Sequence, residues 1–290
     1  MRFVQNPKIS VVIVLYNSGH VIEETIEALD RSIYDNLELL LIDNASDVAL
    51  APAEIKCRFP CRLYRLEKNL GFGQGCNFGV GKSDGDYILF LNPDARVEPD
   101  SIHSMMEVLA SDEKAAAVGP QLLSPDGSRM PSYRFTPDFG RLLFSRKSPL
   151  SHLSLFSRMK QRYIGLPMDE LSEVEVIPAT AMLVRKEAFL EIGGFDERFF
   201  MYAEDFDLCV MLRKRGFKVY HQPKARVYHD WRNGAVADIR KLNIEHNRSI
   251  FRFYRKHYPN NIFRSMALLI LLCIKRLILE IGNWRESKIG

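Results

Sequence analysis

Three short polar segments each follow an apolar run of the sequence and carry side chains that can bind ligands. They are Tyr16-Asn17, Asp43-Asn44-Ala45-Ser46 and Asn92-Pro93-Asp94, which follow residues 9–15, 37–42 and 87–91. A single polar residue after a strand usually forms a turn or a cap. Three such ends favour a binding site, because open α/β sheets bind ligands beyond the carboxyl ends of their strands.

Three of the titratable residues have both a chemical and a structural interpretation. Asp94 can hold a hard divalent cation that neutralises a diphosphate, or it can be a turn residue. Asp43 can accept hydrogen bonds from a base or a ribose, or it can form an Asx-turn with Ser46. His229 ends the segment 225–228 and can complete a metal site with Asp94, although a lone histidine is more often structural.

A second acidic cluster, Glu204, Asp205 and Asp207, follows an aromatic-rich run at residues 195–202. A carboxylate in a pocket walled by aromatic rings can deprotonate an acceptor hydroxyl. The alternative is structural, because acidic residues stabilise the first turn of a helix through its dipole. For Asp207 the structural interpretation alone is sufficient.

The elements that must position these residues alternate between strands and helices. Strands are predicted at 9–15, 37–42, 61–66, 87–91, 174–185, 218–221 and 225–229, and helices at 21–32, 69–82, 99–110, 186–192, 204–215 and from 238 onward. This alternation predicts an α/β fold with a Rossmann-like, mostly parallel, doubly wound sheet. We place a domain boundary at residue 236, with a C-terminal helical extension over 237–290.

The composition is that of a globular protein. Of the 290 residues, 47% are hydrophobic and 26% are charged, which excludes disordered and collagen-like classes. The five cysteines are odd in number and scattered, which favours a reducing compartment over a disulfide framework. Residues 1–7 lack the apolar region of a signal peptide, so we expect a cytoplasmic protein.

Basic residues are concentrated in the C-terminal part. Residues 207–290 contain 18 Lys and Arg against 6 Asp and Glu, whereas residues 1–206 contain 22 against 30. Such a tail meets an anionic partner (nucleic acid, a phospholipid surface or a lipid diphosphate) or is a solvated face. The apolar run 265–274 is too short to span a bilayer. It predicts either a core or oligomer-interface helix, or a helix lying on a membrane with basic residues near the headgroups, namely Arg264, Lys275, Arg276 and Arg285.

Two glycine-rich segments share part of a nucleotide-binding motif but lack a required glycine. Gly81-Lys82-Ser83 is similar to the end of a P-loop, and Gly71-Phe72-Gly73 is similar to the start of a dinucleotide fingerprint. In both motifs Cys76 occupies a position that needs glycine. We interpret these glycines as points of close backbone approach to a neighbouring element or to a ligand.

Taken in order, these segments closely resemble family 2 glycosyltransferases over residues 8–235. The matching segments are Ile13-Val14-Leu15-Tyr16-Asn17, Ile42-Asp43-Asn44-Ala45-Ser46, Asn69-Leu70-Gly71-Phe72-Gly73, Leu91-Asn92-Pro93-Asp94, and Gly193-Gly194-Phe195-Asp196-Glu197 with Glu204-Asp205. The Asn-Pro-Asp form, the run 199–209 and the tail 247–257 are most similar to the rhamnosyltransferase subgroup. The family has the GT-A fold and inverts the anomeric centre, and the subgroup uses dTDP-L-rhamnose to build bacterial surface polysaccharide.

The resemblance implies roles for the matching residues. Asp43 would bind the nucleotide base, and the whole nucleotide-sugar site would comprise Tyr16, Asn17, Asp43, Asn69, Gly71, Asn92 and Asp94. Asp94 and His229 would hold Mg²⁺ or Mn²⁺, although Asn92 replaces the first acid of the family's Asp-x-Asp motif. Asp205 would be the catalytic base, with Glu204 as the alternative.

The implied reaction is a direct displacement by a hydroxyl of a glycan or of a polyprenyl-diphosphate-linked sugar. A lipid-linked acceptor would explain the basic extension as a peripheral contact with the inner face of the cell membrane. The alternatives are a UDP-hexose donor, a sugar-phosphate nucleotidyltransferase and a non-catalytic nucleotide-sugar-binding protein. The nucleotidyltransferase would need a basic Gly-rich loop at residues 16–20, and the non-catalytic protein would lose the acids that are present here. A nucleic-acid partner is not expected, because no aromatic-basic RNA motif or reading helix is found.

Overall fold

The computed structural model describes residues 6–51, 55–143, 165, 168–230 and 239–286. Its strands are β1 Ile9–Leu15, β2 Leu37–Asp43, β3 Cys61–Arg65, β4 Tyr87–Leu91, β5 Ala95–Val97, β6 Ala115–Leu123, β7 Ser172–Glu173, β8 Ala181–Arg185 and β9 Lys218–His229. Its helices are α1 Ile22–Asp30, α2 Phe72–Gly81, α3 Ser101–Ser111, α4 Phe139–Leu143, α5 Lys186–Glu191, α6 Glu204–Lys214, α7 Ile239–His257 and α8 Ile262–Glu286.

The strands form one nine-stranded sheet in the order β3-β2-β1-β4-β8-β6-β9-β5, with β7 paired to β9. Strands β3, β2, β1 and β4 are parallel to one another. Strand β8 is antiparallel to both β4 and β6, whereas β6 and β9 are parallel. Every residue of β1 and β2 is buried, because helices cover both faces of this parallel part. The predicted α/β sheet is confirmed, with antiparallel pairings in its second half.

Strand β6 was not predicted, although it lies near the centre of the sheet. Its sequence is rich in alanine and contains Gly119 and Pro120, which are depleted in strands. All nine of its residues are buried, and its register shifts beside Pro120 where a bulge interrupts the pairing. Burial and pairing on both sides therefore override the weak local propensity.

Three predicted strands have different bounds in the structure. The segments 218–221 and 225–229 form a single irregular strand, β9, because β6 pairs with both halves across its bulge. The predicted strand 174–185 is reduced to β8, which begins only after Pro178. A proline cannot donate a ladder hydrogen bond, so it ends the pairing there.

The core has two parts, one on each face of the sheet. One contains residues of α1 and α3, and the other contains residues of α2, α5, α6 and α7. Helix α7 of the extension places Phe253 and Tyr254 in the second part with at most 1% exposure. The extension therefore shares the core of the sheet. The predicted boundary at residue 236 lies outside the described residues.

Candidate active site

The three polar strand ends converge as the sequence predicts. Strands β2, β1 and β4 are neighbours and parallel, so Asp43, Tyr16 and Asn92 follow one another along the same edge of the sheet. The Asn92 N–H donates to the Thr180 carbonyl at 2.9 Å. The Thr25 hydroxyl donates to the Pro93 carbonyl at 2.7 Å. These bonds hold the turn after β4 between helix α1 and strand β8.

Asp43 forms an Asx-turn with Ser46, which is the structural role that the sequence allowed for it. Its carboxylate is 2% exposed and accepts the Ser46 N–H at 2.9 Å, and the Arg65 guanidinium lies 3.8 Å away. Asn17 has a left-handed backbone (φ 52) and donates its N–H to the Ser46 hydroxyl at 2.9 Å. Tyr16 is 38% exposed at the rim. The turn therefore presents a polar, preformed edge that a base or ribose can approach.

Asn44 was not singled out from the sequence, yet it connects two parts of the site. Its amide nitrogen donates to the Asn69 side-chain oxygen and to the Gly71 carbonyl, both at 3.0 Å. Its side-chain oxygen accepts the Leu70 N–H at 2.8 Å. Asn44 thus fixes residues 69–71 beside the end of β2. Nothing in its sequence position distinguished it from the turn that begins at Asp43.

Gly71 makes the close backbone approach that was predicted for the glycine-rich segment, and the group it approaches is the backbone of Phe200. Its φ is +85°, and a Cβ added there would lie 2.1 Å from the Phe200 carbonyl oxygen. The same carbonyl accepts the Phe72 N–H at 3.0 Å. The start of α2 is therefore pressed against the aromatic run that precedes Glu204.

Asp94 and His229 are brought together by pairing of β5 with β9. Ala95 is opposite His229 in that pairing, and the Asp94 Oδ1 lies 3.2 Å from the His229 Nε2. The Asn92 side-chain nitrogen also lies 3.2 Å from this Nε2. The side chains of His229 and Asp94 are 4% and 8% exposed. The three residues form one compact group at the edge of the sheet.

This group fits a divalent cation with two strong protein ligands. Within the described ranges, no set of three or more His, Cys, Asp or Glu side chains is arranged to hold a metal. Carboxylate oxygen and imidazole nitrogen are both accepted by Mn²⁺, and ligand oxygens or water can fill the remaining positions. Asp94 and His229 are therefore suited to a cation that is shared with a bound diphosphate.

The acidic cluster begins helix α6 after a strained turn. Tyr202 and Ala203 both have left-handed backbones, with φ of 68° and 65°. Such conformations cost energy in residues other than glycine and cluster at functional sites. The Asp205 carboxylate accepts the Phe206 N–H at 2.8 Å, and the nearby backbone of Ala179 lowers the pKa of Asp205. Burial raises the pKa of Asp205, and the Arg134 guanidinium opposes that rise.

Glu204 differs from Asp205 in its surroundings. Its side chain is buried, and its Oε2 has no hydrogen-bond partner among the described residues. Burial, and then the charge of Asp205, raise the pKa of Glu204. Asp205 is only partly buried. Of the two carboxylates, Asp205 is the more exposed, and the Arg134 guanidinium favours its charged form.

Asp207 serves the structural role that its sequence position suggested, but with partners that the sequence did not reveal. Its carboxylate contacts Lys256 and His257 of α7 rather than a ligand. Lys256 also contacts Asp196, which belongs to the Gly193–Glu197 motif. These charged residues join α6, the motif and the extension.

Comparisons with known proteins show the family of the chain. A family model described as "Glycosyl transferase family 2" matches residues 10–192. An N-acetylglucosaminyl-diphospho-decaprenol L-rhamnosyltransferase of Mycobacterium tuberculosis is 30% identical over 264 residues, covering 84% of this chain and 82% of the relative. The rhamnosyltransferase WbbL of Escherichia coli K12 is 26% identical over 266 residues, covering 87% of this chain and 95% of the relative.

Solved structures share the fold at low sequence identity. A GalNAc-T7 structure with UDP, GalNAc and Mn²⁺ has a TM-score of 0.61 and 16% identity, covering 86% of this chain and 48% of that one. The mannosyltransferase PcManGT of Pyrobaculum calidifontis, with GDP-Man and Mn²⁺, has a TM-score of 0.60 and 14% identity, covering 99% of this chain and 77% of that one. The GT-A fold expected from the sequence is confirmed.

Proposed function

Because the chain belongs to glycosyl transferase family 2 and is a glycosyltransferase, we propose that it transfers L-rhamnose from dTDP-L-rhamnose to a polyprenyl-diphosphate-linked sugar in surface polysaccharide synthesis. The names of both relatives support rhamnose as the transferred sugar, and the name of the mycobacterial relative supports a polyprenyl-diphosphate-linked acceptor. The observation that supports the reaction is that segment 179–180 adjoins both parts of the candidate site. The Asn92 N–H, two residues before Asp94, donates to the Thr180 carbonyl, and the backbone of the preceding residue, Ala179, lowers the pKa of Asp205.

In this mechanism Asp205 accepts the proton of an acceptor hydroxyl. The hydroxyl oxygen forms a bond to the anomeric carbon from the face opposite the nucleotide, and the bond from that carbon to the diphosphate breaks. The nucleoside diphosphate leaves with the bonding electrons, so the sugar configuration inverts. The Phe206 N–H orients the Asp205 carboxylate for this transfer.

The donor nucleotide would lie along the edge formed by Tyr16, Asn17 and Asp43, with its diphosphate toward Asp94. A divalent cation on Asp94 and His229 would supply positive charge that stabilises the departing diphosphate. Asn69 is held by Asn44, so its role in the donor pocket is to shape residues 69–71 rather than to offer a free side chain. Gly71 completes that wall against Phe200.

A donor panel tests the proposed function. Release of nucleotide is measured with dTDP-L-rhamnose, UDP-glucose, UDP-galactose and GDP-mannose, with N-acetylglucosaminyl-diphosphoprenol as acceptor, in Mn²⁺, Mg²⁺ or EDTA. We expect cation-dependent release from dTDP-L-rhamnose alone, and its loss in Asp94→Ala. Release from a UDP sugar instead would agree with a glycosyltransferase but would exclude L-rhamnose as the donor sugar. Binding of no nucleotide sugar by calorimetry would contradict the proposal altogether.

We also propose that helix α8 makes a peripheral contact with an anionic bilayer. None of the helices in the described ranges combines the length and the hydropathy needed to cross a membrane. One face of α8 is nevertheless apolar and exposed, comprising Ile262, Phe263, Met266, Leu269, Ile270 and Ile274. Arg255 and Arg264 are exposed nearby, which suits anionic headgroups. The side chains of Lys275, Arg276 and Arg285 lie outside the described residues.

Vesicle sedimentation tests this contact. The chain is expected to sediment with vesicles that contain phosphatidylglycerol and much less with neutral vesicles. The triple change of Phe263, Met266 and Ile270 to serine should abolish sedimentation. A matched control changes three equally exposed apolar residues of the sheet domain, Ile33, Val48 and Leu190, to serine. Equal loss in both triple variants, or concentration-dependent dimers that the first triple variant removes, would contradict a bilayer contact.

A further inference from the structure

Arg134 lies beside the proposed base but was not singled out from the sequence. It follows β6 in the segment that leads to α4, and its backbone N–H donates to the Val176 carbonyl at 2.9 Å. Three residues after Val176, the backbone of Ala179 is close enough to Asp205 to lower the pKa of its carboxyl group. The backbone pairing therefore anchors Arg134 next to a segment that lies close to Asp205.

The Arg134 side chain is held in place by an aromatic ring. Its Cζ lies 5.8 Å from the centre of the Phe206 ring, and Phe206 also donates its N–H to Asp205. The guanidinium is close enough to lower the pKa of Asp205 against the effect of burial, but the two side chains form no ion pair. A gap therefore separates the guanidinium from the carboxylate.

The donors of this guanidinium are available to a ligand. Among the described residues, the Arg134 side chain makes no hydrogen bond and no ion pair. The other two arginines nearby in the sequence are engaged, since Arg129 lies 2.6 Å from Asp169 and Arg141 donates to the Thr136 carbonyl at 2.8 Å. A partly buried guanidinium with open donors is a strong site for phosphate oxygens, which its planar fork binds in pairs.

We propose that Arg134 binds the diphosphate of the lipid-linked acceptor while Asp205 faces the reacting hydroxyl of the same sugar. This inference rests on the proposed function. In such an acceptor a sugar ring separates the hydroxyl from the diphosphate, so the two groups need separate partners. Arg134 and Asp205 are neighbouring side chains that are not paired with each other. The donor diphosphate would lie at Asp94 and His229 instead, so the two diphosphates would occupy different cation sites. Arg134 would thereby select acceptors that carry a diphosphate.

The test compares two acceptors that differ only in the diphosphate. They are N-acetylglucosaminyl diphosphate with a short prenyl chain and the prenyl glycoside of the same sugar. KM and kcat are measured for the unchanged chain, Arg134→Ala, Arg134→Lys and the control Arg129→Ala, with binding of both acceptors and of dTDP-L-rhamnose measured by calorimetry. Thermal melting confirms that each variant is folded. If the alanine variant does not fold, Arg134→Lys, which keeps the positive charge, is compared with the unchanged chain instead.

We expect Arg134→Ala to raise KM and Kd for the diphosphate acceptor by roughly 10- to 100-fold, the usual range for a charged hydrogen bond. Arg134→Lys should recover part of this loss, and binding of the glycoside and of dTDP-L-rhamnose should not change. Weaker binding of the donor, an equal loss for both acceptors, or no binding of the diphosphate acceptor by the unchanged chain would overturn the inference. Arg134-dependent binding without turnover on any donor would support it while the proposed function fails.

Discussion

The imidazole Nε2 of His257 lies 2.7 Å from the Asp207 carboxylate, and both side chains are at most 3% exposed. The adjacent Lys256 lies 2.8 Å from the same carboxylate and 2.8 Å from that of Asp196. His257 and Lys256 end α7, whereas Asp207 lies two residues after the proposed base. The C-terminal extension is therefore tied directly to the helix that carries Asp205.

Replacing Lys256 should destabilise the whole fold. Lys256→Ala removes the cation that the two carboxylates share, although His257 still contacts Asp207 and Arg198 still contacts Asp196. We expect the free energy of unfolding to fall by about 2 kcal/mol, the usual range for a charged hydrogen bond. The control is Arg248→Ala on the same helix, which breaks an exposed pair with Glu245 and should cost less than about 1 kcal/mol. Urea unfolding measures both. Equal effects would contradict a buried link between the extension and α6.

The two neighbouring carboxylates should respond differently to neutralisation. We expect Asp205→Asn to lower kcat at least about 100-fold, because the acceptor proton loses its base. Glu204→Gln should retain activity within about tenfold, because Glu204 is buried and its pKa is raised. Steady-state transfer assays at saturating donor measure both. A reversed order would assign the base to Glu204.

The stability that Glu204→Gln gains over the unchanged chain should depend on pH. Because the pKa of Glu204 is raised above its ordinary value of 4.5, the folded chain holds the proton more tightly than the unfolded chain. The unchanged chain therefore loses stability as pH rises above the unfolded pKa, until Glu204 also ionises in the folded state. Glutamine removes that loss. The variant should be more stable by roughly 1–3 kcal/mol at about pH 8 and nearly equal at about pH 4.

Urea unfolding at both pH values checks this expectation. Glu197→Gln is the matched control, because the same substitution is made there at an exposed glutamate. A gain for Glu204→Gln that is the same at both pH values would show that burial of its charge is not the cause.

Restoring a second acid at Asn92 should strengthen cation binding. The Asn92 side chain lies 3.2 Å from the His229 Nε2, beside Asp94. Asn92→Asp adds an anionic oxygen ligand there, so we expect Mn²⁺ to bind roughly tenfold more tightly. His229→Gln should weaken binding instead. Manganese titration followed by electron paramagnetic resonance measures both, and unchanged affinity in both variants would place the cation elsewhere.

A methyl group at position 71 should push residues 69–71 away from Phe200, in the aromatic run that precedes the acidic cluster. Gly71→Ala combines a left-handed backbone with a Cβ that would lie 2.1 Å from the Phe200 carbonyl oxygen. We expect a loss of about 2–4 kcal/mol in stability and weaker binding of the donor. Gly81→Ala is the control, because the space around its Cβ is open. Thermal melting with and without nucleotide checks both variants, and equal melting temperatures would contradict the close approach.

Much of this protein follows from local sequence. The strands β1, β2 and β4 are continuous apolar runs, and only a parallel sheet covered on both faces buries such runs completely. Their carboxyl ends must then share an edge, which brings Asp43 and Asn92 together before any coordinates are known. The order of the motifs around them was sufficient to identify the family.

Long-range packing decided the rest. Strand β6 has weak local propensity and becomes a strand only because β8 and β9 pair with it. The pairing of Asp94 with His229 spans 135 residues of sequence and depends on the register of β5 with β9. Glu204 is buried and Asp205 is partly exposed, although the two are adjacent in sequence. Arg134 lies near Asp205, the proposed base, and Lys256 pairs with Asp207. Both relationships join residues that are far apart in the sequence, so only the tertiary structure reveals them.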